Sequence, residues 1–315
     1  MGLDFQHPAV PRVDDALCTA CALCATVCPS GTLALEEGRI RIATRMFTGC
    51  IGCGQCMAVC ATDAIRVTGR RLDPSDLVAL PAPASGRDAW EALDALALAR
   101  RSVRRFAPRP VERELLERIL SLASTAPMGI PPTDVGVVVF DSPEKVHALA
   151  ADAVVAFRRA LKMFHPLALA AMRPFLGAAG YRGLKEFVRP LLALICARWD
   201  EGHDVLFYDA PAALLFHRGP AGDGADAAIA ATYAMLAAQA LGLGSCMIGT
   251  TAAFDHDRAL KRKYGIPEEN KLGLALILGH PAVSYSRSLR RQWASVHWAQ
   301  DTGDSDRQAR PAGSR

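Results

Sequence analysis

The sequence predicts an α+β protein in two modules, a small cysteine-rich one followed by a larger one of helices interleaved with a few strands. Three observations carry that prediction. Eight of the ten cysteines crowd into residues 18 to 60. Residues 71 to 88, RLDPSDLVALPAPASGRD, hold three prolines with Ser85 and Gly86 and read as a linker or surface-hugging crossover. Beyond it, apolar residues recur at helical spacing in several runs, separated by short β-branched segments. A chain of 315 residues, 51% of them apolar, is long enough for two domains and a sizeable core.

A net charge of +4 is far from the dense excess of a dedicated nucleic-acid binder, so no nucleic-acid partner is expected. No run approaches the roughly 18 unbroken apolar residues of a membrane span. The first residues, MGLDFQHPAVPR, lack the charged-then-apolar pattern of an export leader, and Gln6 spoils a myristoylation motif. A cytoplasmic protein is expected. Disulfides are then disfavoured, and the cysteine block points to metal.

The block is an internal repeat. CTACALCATVCP places Cys18, Cys21, Cys24 and Cys28, and CIGCGQCMAVC places Cys50, Cys53, Cys56 and Cys60. Each reads C-x2-C-x2-C-x3-C. Three thiolates at this spacing wrap one face of an iron–sulfur cube, and the fourth cysteine reaches the other cluster. Cys18, Cys21, Cys24 and Cys60 are therefore expected on one [4Fe-4S] cluster, and Cys50, Cys53, Cys56 and Cys28 on a second. Zinc or free structural thiols compete with this reading, but zinc sites favour two cysteine pairs with a longer spacer. Residues 10 to 68 resemble bacterial two-cluster ferredoxins, which implies a pair of small βαβ-like halves. Ala61 departs from the proline usual there and removes no ligand. Thr19, Ala20, Gly52 and Gly54 are small enough to let backbone amides approach the sulfurs.

In the second module Trp90 to Ala99 and Val111 to Ala123 read as helices, the latter with Leu115, Leu116, Ile119 and Leu120 on one face. Asp134 to Phe140, Ala212 to His217 and Lys271 to Gly279 read as strands. Ala225 to Leu241 is an alanine-rich helix, apolar nearly all round and so expected to be buried, against a second copy of itself. GPAGDGAD, Gly219 to Asp226, fits neither a dinucleotide fingerprint nor a Walker loop and reads as a loop capping that helix.

Several segments of this module together resemble the nitroreductase family of FMN-dependent flavoenzymes, over Leu93 to Gln292. They are RRSVRRF, STAPMGIPP, ALGLGSCMIG and LALILGHPAVSYSRSLRR. The resemblance implies a nitroreductase-like α+β FMN domain and a homodimer with FMN at the subunit interface. It implies that Arg100, Arg101 and Arg104 hold the phosphate and ribityl chain, with Ser102 donating a hydroxyl hydrogen bond. Guanidinium forks suit phosphate oxygens at any relevant pH. Arg105 falls outside the pattern and is left to solvent. Arg290 and Arg291 match a C-terminal basic pair on the same phosphate. Pro127, Met128 and Gly129 match a loop reaching the flavin from the partner subunit. Met247, Ile248, Gly249 and Thr250 match the segment beside the isoalloxazine. Relatives carry polar groups in the loop that is Met128 to Pro132 here, so a more apolar pocket is implied.

Cys196 and Cys246 read as small buried hydrophobes. His165, His203, His217 and His280 show no ligand spacing. No catalytic acid or base stands out. Residues 151 to 208 read as two or three amphipathic helices, either scaffold or a lid over the flavin, with membrane-surface binding as a further option. The organisation expected is a two-cluster domain over 1–70, the linker over 71–88, an FMN domain over 89–300 and a disordered tail over 301–315.

Single electrons would enter at the clusters from a ferredoxin- or flavodoxin-type donor and accumulate on FMN. The flavin would then reduce a small organic acceptor: a nitroaromatic, a quinone, an activated alkene or a halogenated phenol. Two other readings stay open. The chain could relay electrons to a protein partner with no small-molecule substrate of its own, or its clusters could be structural.

Overall fold

The computed structural model describes residues 9–43, 49–79, 86–129, 134–290 and 292–298. It divides into two units, Met1–Ser284 and Tyr285–Arg315. The first holds both modules.

The N-terminal module repeats itself in its backbone as in its sequence. Strand β1 (Val10–Val13) pairs antiparallel with β4 (Ile65–Thr68), and β2 (Leu33–Glu36) with β3 (Arg39–Ile42). Two single-turn helices, α1 (Leu23–Thr26) and α2 (Gln55–Ala58), each start at the residue just before the third cysteine of a repeat. Ala20 and Ala22 in the first repeat, and Gly52 and Gly54 in the second, all take positive φ. Alternating left-handed residues curl the chain so that successive cysteine side chains turn toward one point. Glycine does this freely, whereas alanine pays about 1 kcal/mol. Leu33, Ile40, Met57, Ile65 and Val67 close the small core.

The second module opens with α3 (Arg87–Ala99) and α4 (Arg113–Ala123). Its sheet has strand order β5-β6-β8-β7, antiparallel throughout: β5 (Val135–Phe140), β6 (Ala212–Arg218), β8 (Lys271–Gly279) and β7 (Gly244–Ile248). Helices cover both faces. Ala212, Leu214 and Phe216 of β6 face α4 and α8 (Gly224–Ala240). Ala213 and Leu215 face α5 (Pro143–Met163) and α7 (Arg189–Asp200). A strand buried on both sides has no polar face, so AALLF and LALIL read as unbroken apolar runs.

Alanine and glycine bring α8 down onto the sheet. A side chain at Gly273 on β8 would start 2.6 Å from the Ala227 Cβ of α8. Asp223 caps that helix by accepting from the Ala225 N–H at 2.7 Å, so the glycine-rich loop ends as a cap. Strand β7 has no counterpart in the sequence reading. It is short, begins at a glycine, and is specified by its pairing with β8.

The expected helical insert is α5, then α6 (Pro166–Arg182), a π-turn over Gly183–Val188, and α7. Helix α5 begins at residue 143, ahead of the expected boundary. Of the seventeen residues of α6 only Leu169 is buried, and Leu167 and Phe175 are exposed. In the second unit, residues 285–290 and 292–298 carry no regular structure and expose Leu289, Trp293 and Trp298. Arg291, Ile130 to Pro132, part of the linker and the 301–315 tail lie outside the described residues.

Candidate functional site

The fold sorts the eight N-terminal cysteines into two groups of four. Cys18, Cys21, Cys24 and Cys60 line one cavity with Val13, Ile40 and Ile65. Cys28, Cys50, Cys53 and Cys56 line a second with Pro11 and Leu33. Each group takes three cysteines from one repeat and the fourth from the other. Among the described residues, no three His, Cys, Asp or Glu side chains close on a single ion. Four thiols ringed around an apolar cavity, three of them from one C-x2-C-x2-C loop, suit a multi-iron cube better than zinc.

Two residues missed by the sequence reading join the cradles. The Cys28 Sγ lies 3.5 Å from the Ser30 hydroxyl, and the Cys60 Sγ lies 3.7 Å from the Thr62 hydroxyl. These are equivalent positions in the repeat, two residues past the fourth cysteine. The Ala64 N–H also donates to Cys60, at 3.3 Å. Burial raises both thiols, but these hydrogen bonds outweigh it and lower them. Burial pushes Cys24 and Cys50 up, and Cys56 up to about 12, with neighbouring cysteines adding to the rise. Thiols raised in this way would lose their protons on binding iron.

In the second module RRSVRRF leaves α3 as an extended strip along the outer edge of β7. Ser102 bridges Ser245 in parallel, and the Val103 N–H donates to the Ser245 carbonyl at 2.9 Å. Val103 is the buried anchor. It fits only because Gly244 has no side chain, since a Cβ there would lie 2.8 Å from three Val103 atoms. The strip then crosses the end of β8: Ala107 N–H donates to His280 O at 2.8 Å, and Ala282 N–H to Arg105 O at 2.9 Å. Burying Val103 turns its neighbours outward, and Ser102, Arg104 and Arg105 are exposed. Arg100 and Arg101 are half-buried, with Arg101 Nη1 donating to the Arg100 carbonyl at 2.5 Å. The Arg104 guanidinium lies 5.6 Å over the Tyr208 ring. Tyr208 and Asp209 both have positive φ, in a loop held by the buried Asp204 through the N–H groups of Leu206, Phe207 and Asp209.

The same β7 carries the other predicted segment. Met247 is half-buried, Ile248 buried and Gly249 exposed. The Thr250 hydroxyl is buried without a hydrogen-bond partner. A buried hydroxyl without a partner costs about 1–3 kcal/mol, so it marks a position where a ligand would complete the site. That orphan, just past the end of β7, and the outward-turned basic strip along the edge of β7 fit a phosphate-bearing flavin.

Pro127 is exposed, and Met128 and Gly129 are half-buried, on the α4–α8 side of the sheet. The Gly129 N–H donates to Asp226 Oδ1 at 3.0 Å, and Asp226 is buried in the first turn of α8. The sequence reading missed Asp226; its only signal is a charge inside an otherwise apolar helix. Arg290 is exposed. Cys246 and Cys196 are buried, as expected of small hydrophobes.

A module of two cysteine cradles joined to a helix-covered antiparallel sheet with a basic strip at its edge defines the class: an iron–sulfur oxidoreductase. Residues 97–280, more than half of the chain, match the nitroreductase family, and residues 17–65 match the 4Fe-4S dicluster domain. The chain belongs to the nitroreductase family.

Similar solved structures include a nitroreductase with bound FMN from Desulfitobacterium hafniense, at 22% identity and TM-score 0.48, covering 65% of this chain and 97% of that one. Another, from Bacteroides fragilis, also with bound FMN, has 20% identity and TM-score 0.49, covering 68% and 100%. Among curated proteins, NADH-quinone oxidoreductase subunit I 2 of Geobacter metallireducens is 38% identical over 61 residues, 17% of this chain and 47% of that protein. DNA-directed RNA polymerase subunit Rpo3 of Methanosarcina mazei is 40% identical over 66 residues, 21% and 25%. The chain thus spans less than half the length of these curated relatives.

Proposed function

We propose that this protein binds FMN and two [4Fe-4S] clusters and passes single electrons from a ferredoxin- or flavodoxin-type donor to a small organic acceptor. The observation that carries this reading is the four-and-four sorting of the cysteines on a chain that also carries the β7 strip. One-electron carriers built beside a flavin-type site imply that electrons arrive singly and leave in pairs. The flavin, when bound, supplies hydride or electron chemistry at its ring.

The protein's own part is placement. Arg100, Arg101 and Arg104 meet the phosphate, the rigid Val103 anchor fixes their register, and Ser102 donates its hydroxyl. The Thr250 hydroxyl gains a flavin partner. Met247 to Gly249 line the ring, and Pro127 to Gly129 approach it from the other subunit of a homodimer. Acceptors in this reading are nitroaromatics, quinones, activated alkenes or halogenated phenols.

Anaerobic purification with iron, sulfide and released-flavin analysis tests the cofactors. Dithionite-reduced protein offered a panel of these acceptors tests the reaction. Rapid flavin bleaching by NADPH alone in anaerobic stopped flow would remove the one-electron donor from the scheme. The exposed Leu167 and Phe175 on α6 favour a second reading, relay to a protein partner. Turnover of no acceptor in the panel would favour it.

A further inference from the structure

We infer that the two cradles occupy different places in the electron route: the Cys18, Cys21, Cys24 and Cys60 cradle receives electrons, and the Cys28, Cys50, Cys53 and Cys56 cradle delivers them to the flavin domain. The inference rests on the two-cluster FMN reading above.

The geometry turns on the four residues after β4. Gly69 and Leu72 exchange backbone hydrogen bonds, Gly69 N–H to Leu72 O at 3.1 Å and Leu72 N–H to Gly69 O at 3.0 Å. The two residues between them, Arg70 and Arg71, have φ of 51° and 58°. A two-residue turn with positive φ at both positions favours Asn-Gly, and two arginines there are strained. The strain is matched by what they touch. On one side, a Cβ at Gly52, between Cys50 and Cys53, would lie 3.3 Å from the Arg70 Cβ and 3.4 Å from its Cδ. A Cβ at Gly54 would lie 3.6 Å from a Leu72 methyl. The turn therefore clasps the loop that supplies three thiols of the second cradle.

On the other side, Arg71 lines a cavity with Leu120, Ser124, Met128, Phe216 and Ala230, all of the flavin domain. Its charge is also felt by His217 on β6. Two neighbouring arginines thus reach from the second cradle to α4, β6 and α8. In the first cradle Cys21 is exposed beside the exposed Leu23, whereas the thiols of the second cradle are half-buried or buried.

Contact and charge then agree. Electron transfer slows steeply with separation, and the clasped cradle is the one whose loop is tied through Arg70 and Arg71 to the flavin domain, which makes it the exit. A guanidinium beside a cluster favours its reduced, more negative form, so electrons fall toward that cradle. With both clusters and FMN bound, two donor molecules would each give up one electron. Each electron would pass by way of the Cys18, Cys21, Cys24 and Cys60 cradle and then the Cys28, Cys50, Cys53 and Cys56 cradle. The flavin would accept the two electrons, with its protons coming from solvent.

The test uses the full chain, loaded anaerobically and mixed with a reduced bacterial ferredoxin, with freeze-quench EPR of the clusters and flavin absorbance read together. In Cys53→Ser the remaining cluster should reduce at the wild-type rate while flavin bleaching slows at least tenfold. In Cys21→Ser the remaining cluster and the flavin should both reduce slowly. The opposite pattern, fast flavin bleaching in Cys53→Ser, overturns the order.

If either variant fails to load its remaining cluster, Arg70→Gln and Arg71→Glu decide. Arg70→Gln should lower one cluster potential in an EPR titration and leave the other. Arg71→Glu should slow flavin bleaching several-fold with cluster reduction unchanged. Unaltered potentials and bleaching overturn the inference. Wild-type protein without iron, sulfide or FMN overturns the cofactor reading instead.

Discussion

The Gly129 N–H and the Asp226 carboxylate meet at 3.0 Å, joining the loop after α4 to the first turn of α8. The residues are ninety-seven apart in sequence. A side chain at Gly129 would begin 3.3 Å from Asp226 Oδ2, so the loop approaches the carboxylate closely. Asp226 is itself buried, and the helix N-terminus favours its negative charge. It is a positioning residue for the loop that carries Met128.

Asp226→Ala leaves a half-buried N–H without an acceptor and should cost about 1–3 kcal/mol of stability. FMN affinity should fall with it, because the loop loses its fixed position. Asp226→Asn keeps an acceptor oxygen and should recover most of both. Thermal melts and flavin-fluorescence titration of the three proteins check this. Equal FMN affinity in all three would remove Asp226 from the site.

Gly244→Ala should displace the basic strip, since its new methyl meets Val103 at 2.8 Å. Overpacking of this kind costs about 1–3 kcal/mol. The expected outcome is protein that folds but is purified with little FMN. Adding Val103→Ala makes room and should restore flavin content, a rescue that a merely destabilised protein would not show.

Thr250→Val should have opposite effects on the two forms. Without flavin it removes a buried, unpartnered hydroxyl, so stability should hold or rise. With flavin it removes one hydrogen bond, weakening binding about fivefold. Melting temperatures with and without FMN read both, and a parallel change in the two would refute the assignment.

His217 makes stability fall in acid. Burial chiefly, then the charges of Arg71 and Lys261, hold its pKa below the ordinary 6.5. Below pH 6.5 the unfolded chain therefore takes up the proton before the folded one does. Stability is complete above that pH and declines as pH drops toward the folded value. Arg71→Ala should raise the folded pKa and make the decline shallower. Histidine NMR titration and urea denaturation between pH 5 and 8 measure both. An unmoved His217 resonance would mean that Arg71 does not sit beside β6.

Some of this was legible in residues whose meaning is local. The cysteine spacing is read within one turn of chain, and the structure sorts those thiols as the spacing implies because short ligand loops leave few alternatives. The helices of α4 and α8 show in their periodicity and composition, and β6 and β8 in their apolar runs. The π-turn after α6 was not legible, and neither was β7, whose pairing comes from a strand more than twenty residues away.

The sequence by itself determined the two modules, the repeated cysteine block and the basic strip, because each is written in neighbouring residues. Only the tertiary structure decided that the strip lies on β7 through Val103 and Gly244, and that Asp226 holds the Gly129 loop. It also placed Arg70 and Arg71 between the second cradle and the flavin domain. Those relations join residues distant in sequence, and burial, close packing and backbone hydrogen bonds fix them only once the sheet and its two helical layers have closed.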